Sequence, residues 1–100
     1  MNATHAIFHR AFAAQVATLP EAERQQWHLC ARLLRLSQEA ATLATPHYWY
    51  MVTDLFYDVL PAPDTAAHRS LRAALVFMVG GNTLAGFRAL RSLSREEVEA

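Results

Sequence analysis

His5 and His9 stand four residues apart in a helix-forming segment, a spacing that can set two imidazoles on one metal ion. A site needs at least one more ligand. The remaining candidates, His28, His47, His68 and Cys30, are scattered along the chain, and no Glu-x-x-His motif exists to build a carboxylate-bridged di-iron bundle. We therefore expect no metal and no haem; a His-ligated metal or haem protein stands as the least favoured reading. His47 offers a second chemistry, since Tyr50, Asp54, Tyr57 and Asp58 follow it at helical spacing and such groups support acid–base catalysis. All of them would lie on one helix, however, and their alternation with Trp49, Val52 and Phe56 is the pattern of an amphipathic helix. No serine sits in a nucleophile elbow. Gly80, Gly81 and Gly86 follow an apolar helix rather than a strand, so they form no phosphate-binding loop. Cys30, between Leu29 and Ala31, reads as a small buried hydrophobe. The expectation is a protein that is not an enzyme and carries no cofactor.

The aromatic groups are the remaining candidates. The stretch TPHYWYM, residues 45–51, sets Tyr48, Trp49 and Tyr50 about 100° apart around a helix. They cannot all enter one core. Trp49 aligns with Val52, Phe56 and Leu60, Tyr48 with Val52, Leu55 and Val59, and Tyr50 with Asp54 and Tyr57. One aromatic face is expected to support the core and the other to meet another chain, tyrosine and tryptophan being enriched in interface hot spots. The expected contact set is Tyr48, Trp49, Tyr50, Phe56 and Tyr57, joined by Leu29, Leu33 and Leu36 of the preceding helix. The alternative is a small apolar ligand held near Trp49, Phe56 and Phe77.

These residues must be positioned by helices, because no window alternates like a strand. The predicted elements cover residues 4–18, 20–44, 46–60, 64–79 and 83–93, followed by a short C-terminal tail. Phe8, Phe12, Val16 and Leu19 make an apolar stripe on the first. Thr18 and Glu21 have capping-box spacing before the second, with Pro20 in its first turn. There Leu29, Leu33, Leu36, Ala40 and Leu43 step by alternating fours and threes, an a/d seam, with Arg24, His28, Arg32, Arg35 and Glu39 on the other side. Thr45 and Pro46 open the third helix. The segment Pro61-Ala62-Pro63 is a stiff connector, after which Asp64 is the expected N-cap of the fourth helix, with Leu71, Leu75 and Met78 on its stripe. Gly80-Gly81-Asn82 predicts a break, since two glycines weaken a helix interior; one long helix approached closely at its glycines is the alternative. Ser94 and Glu97 repeat the capping-box spacing near the end. The whole is expected to be a single all-α domain, a compact bundle of four to five helices.

Composition limits the function. The chain has 100 residues, of which 53% are hydrophobic and 18% charged, and its formal net charge is zero. Charged residues usually make up about 25%. So apolar a small chain is expected to keep apolar surface uncovered, which favours a homodimer or a bound protein partner. A zero net charge gives little support for nucleic-acid binding by counterion release. All nine cations are arginine, a composition that suits a GC-rich, bacterial genome. A lone cysteine excludes an internal disulfide and fits a reducing compartment. The first residues lack a signal peptide's basic and apolar regions, and the most apolar run, 73–87, is too short for a membrane span. The expected protein is cytoplasmic, with no membrane association. It is expected to be a small regulatory interaction module: an adaptor, an anti-activator of a transcription factor, or a chaperone.

Overall fold

A computed structural model describes the backbone of residues 2–43 and 45–99 and the side chains up to residue 92. Five helices run in order: α1 (Ala3–Val16), α2 (Glu21–Ala40), α3 (Pro46–Val59), α4 (Ala66–Val79) and α5 (Thr83–Glu99). No strand occurs among the described residues. The chain divides into two compact units, Met1–Leu60 and Pro61–Ala100. In the first, α2 packs against both α1 and α3; in the second, α4 packs against α5.

The caps explain the boundaries. Asn2 opens α1, its Oδ1 accepting from the His5 N–H at 3.1 Å. The expected capping box at Thr18 and Glu21 does not form. The Thr18 hydroxyl donates backwards to the Gln15 carbonyl at 2.7 Å, and Pro20 takes the N-cap position of α2 without a side-chain bond. Glu21 and Glu23 in the first turn still meet the positive end of the helix dipole. α2 ends at Ala40, four residues earlier than expected: the Ala41 N–H still bonds the Ser37 carbonyl one turn back, while the Thr42 and Leu43 N–H groups close tighter turns onto Glu39 and Ala40. Thr45 occupies the N-cap of α3 with Pro46 at the first helical position, but its hydroxyl makes no capping bond. Leu60, extended before Pro61, ends α3.

Thr65, not Asp64, caps α4: its hydroxyl accepts from the His68 N–H at 3.1 Å, while the Asp64 N–H turns back to the Ala62 carbonyl. The predicted break at Gly80-Gly81-Asn82 is a Schellman ending. The Asn82 N–H bonds the Phe77 carbonyl at 2.8 Å, the Gly81 N–H bonds that of Met78 at 3.0 Å, and Gly81 has φ +83°. Asn82 then caps α5, its Oδ1 accepting from the Ala85 N–H at 3.2 Å. The close helix approach occurs further on. A Cβ on Gly86 would lie 2.8 Å from Met78 Sδ and 3.3 Å from the Ala74 carbonyl oxygen, so glycine lets α5 sit directly on α4. α5 continues through Ser94 to Glu99, one helix where a stop and a tail were expected.

Candidate functional site

The α2–α3 hairpin carries all eight of the expected contact residues, and the structure separates them sharply. The buried face of α2 is Trp27, Cys30, Leu34, Ser37 and Ala40. This overturns the expected seam. Trp27, Cys30, Leu34 and Ser37 have the same three–four spacing as the leucine series but lie on a different side of the helix. They include the largest side chain of α2, and Trp27 is closed to solvent while its ring meets Phe12 of α1 edge-on at 6.3 Å. Leu33 and Leu36 become half-buried, and Leu29 is 39% exposed. The leucine row is therefore a flank of the hairpin rather than its core.

On α3 the buried residues are Val52, Thr53 and Phe56. Phe56 is fully enclosed, so it belongs to the core and is removed from the contact set. Trp49 is only half-buried. Its indole meets the Tyr50 ring edge-to-face at 5.0 Å, and Tyr57 meets Phe56 in the same way at 5.2 Å. Each pair thus couples an inner ring to an exposed one, with Tyr50 61% exposed. Tyr48, Met51 and Leu55 are exposed as well. Beside the hairpin turn, Ala40, Leu43, Pro46, Trp49 and Tyr50 line a shallow, largely apolar cavity of about 390 Å³.

Three polar links hold this surface in place. The Ser37 and Thr53 hydroxyls share a buried hydrogen bond at 3.1 Å. Gln26 Nε2 and the Cys30 thiol both donate to the Val59 carbonyl, at 2.8 and 3.5 Å. That carbonyl lies in the last turn of α3, where no intrahelical donor remains. Burial pushes the Cys30 thiol up to about 11, so at neutral pH it is a protonated donor and a poor nucleophile.

The groups considered for catalysis do not converge. His47, Tyr50, Asp54, Tyr57 and Asp58 are all exposed, and among the described residues none is hydrogen-bonded to another. No three His, Cys, Asp or Glu side chains among the described residues form a metal-ligating group. His5 and His9 do not act as a pair: His5 is half-buried, whereas His9 is buried and its Nε2 meets Gln38 Oε1 at 3.0 Å. That contact joins α1 to α2 and has no sequence signature, because it depends on how the two helices are rotated. Phe77, expected beside Trp49 and Phe56, is 42% exposed and belongs to the other unit. No helix among the described residues is long and apolar enough to cross a membrane.

Comparison with known proteins returns no match: no family model, no curated protein and no solved structure matches this chain.

Proposed function

We propose that the chain is a small helical interaction module that binds another protein through the exposed face of its α2–α3 hairpin. One observation carries this reading. Of ten large hydrophobic side chains exposed among the described residues, seven lie on that hairpin: Leu29, Leu43, Tyr48, Tyr50, Met51, Leu55 and Tyr57. Scattered apolar residues are ordinary on a protein surface, but a concentration of them on one element marks a contact site. The aromatic members lose little side-chain entropy on binding, and the half-buried Trp49 and the exposed Leu43 border a recess that suits one apolar anchor from a partner. A second copy of the chain is a suitable partner, giving a homodimer, and a regulatory adaptor, anti-activator or chaperone is the role such a module fits. The binding chemistry is hydrophobic burial, without catalysis.

The test is size-exclusion chromatography with light scattering, run beside affinity capture from the source cells with wild type and Tyr50→Ala/Leu55→Ala as bait. A dimer that dissociates in the double variant, or a captured protein lost with it, supports the reading. A monomer that captures the same proteins with either bait overturns it. The apolar recess supports a second reading, a small hydrophobic ligand, for which native mass spectrometry would show a bound mass that disappears in Trp49→Ala.

A further inference from the structure

A second, chemically opposite site lies between α1 and α2. His28, Arg32 and Arg35 follow one another by four and three residues along one edge of α2. They line a cavity of about 240 Å³ whose other wall is His9, Phe12 and an alanine of α1. No acidic side chain lines it. Among the described residues neither Arg32 nor Arg35 has a hydrogen bond or an ion pair, in contrast to Arg24, whose Nε donates to the Leu19 carbonyl at 2.8 Å. The nearest carboxylate on the same helix, Glu39, one turn beyond Arg35, lines a neighbouring cavity together with Arg35, His5 and Gln38, but makes no ion pair with the guanidinium among the described residues. Like charges one turn apart repel, so this edge gains nothing for the helix by itself. Two guanidiniums beside a recess supply forked donors without an acceptor, the arrangement that fits an oxyanion.

We propose that this cavity is a binding site for a phosphate-type oxyanion, either the free ion or the head of a small phosphomonoester. Arg32 and Arg35 supply the charge and the donors. His28 closes one side of the recess. His9 fixes the back wall, because its bond to Gln38 holds the ring in one orientation. Phe12 and the alanines supply the apolar part of the lining. The site borders the hairpin surface, since His28 and Arg32 also line a recess with Leu29, but its ligand chemistry does not depend on that surface having a partner.

The test uses the whole chain, ¹⁵N-labelled, titrated with inorganic phosphate, methyl phosphate and acetate at constant ionic strength. Saturable shifts of the amides around residues 9 and 28–35 are expected with both phosphates and not with acetate. Tighter binding of methyl phosphate assigns a monoester; tighter binding of inorganic phosphate assigns the free ion. Arg32→Gln and Arg35→Gln should each weaken binding about tenfold, the weight of a charge-assisted hydrogen bond, while Arg88→Gln, on an exposed position of α5, leaves it unchanged. Equal responses to acetate and phosphate, shifts spread over all arginines, or full affinity in both α2 variants would overturn the proposal. The wild-type shift map decides the matter even if a variant fails to fold.

Discussion

Ser37 on α2 and Thr53 on α3 bring their hydroxyl oxygens to 3.1 Å in a position closed to water. Each is the other's partner across the hairpin, so the pair acts as a polar registration point inside an apolar contact. Removing one hydroxyl leaves the other buried, and that loss costs about 1–3 kcal/mol. Ser37→Ala and Thr53→Val should each lower stability in urea unfolding by an amount in this range. The double variant should cost less than the two singles together, because it removes both orphaned groups. Strict additivity would show that the two hydroxyls do not depend on each other.

The Schellman ending gives a paired prediction at adjacent glycines. Gly81 has φ +83°, and a Cβ added there would meet no atom within 4 Å, so Gly81→Ala is penalised by backbone strain alone, about 1–2 kcal/mol. Gly80 has φ −82°, and a Cβ there would be 3.6 Å from the nearest atom, an ordinary contact. Gly80→Ala should therefore be neutral or stabilising by about 0.4–1 kcal/mol through the unfolded chain. Thermal melts of the two variants should move in opposite directions or, at the least, differ clearly. Equal loss in both would mean that the turn is not held by Gly81.

Phe56 and Tyr50 divide core from surface on α3. Phe56→Ala should destabilise by about 3–5 kcal/mol, as for other enclosed aromatic rings. Tyr50→Ala exposes no cavity and should leave the melting temperature nearly unchanged while weakening association. A melting curve and a light-scattering profile for each variant separate the two effects. If Tyr50→Ala melts as early as Phe56→Ala, the exposed ring is structural.

The helical fold, the break at Gly80-Gly81-Asn82 and the stripe of Leu71, Leu75 and Met78 are legible in the sequence because each is local: a period, a pair of glycines, a turn chemistry. The rotation of α2 is not. Leu29, Leu33 and Leu36 satisfy the same spacing rule as Trp27, Cys30, Leu34 and Ser37, and periodicity alone cannot choose between two stripes on one helix. Packing chooses, and it buries the tryptophan. The cap positions show a similar limit. Asp64 and Thr65 are both good N-cap residues, and Thr18 and Glu21 have the right spacing, yet the hydroxyl of Thr18 finds a nearer acceptor in the last turn of α1. The half-exposed rings of the candidate contact face were legible as a surplus of aromatic groups. The part-buried contact of His9 with Gln38 was not, since it links residues 29 apart in the chain.

That contact also sets an expected pH dependence. Burial, the largest influence, holds the His9 imidazole below its ordinary value of 6.5; the Gln38 bond opposes this, while Arg35 and His5 add to it. In the neutral ring Nε2–H donates to Gln38, so Nδ1 carries no proton. Well above pH 6.5 neither the folded nor the unfolded chain protonates this group, and the stability linked to it is fully present. As the pH falls below 6.5 the unfolded chain takes up a proton first, and stability declines through the lower folded value. Unfolding measured from pH 7.5 to 4.5 should show this acid loss, and His9→Gln should flatten it. Removing a neighbouring cation by Arg35→Gln should raise the His9 value, which a ¹H–¹³C titration of the ring reads directly, and so bring the folded and unfolded values closer together. The acid limb would then be shallower even though no contact of His9 itself has changed. An unaltered His9 titration in Arg35→Gln would mean that the guanidinium exerts no field at the imidazole, and the electrostatic link between α1 and this edge of α2 would have to be abandoned.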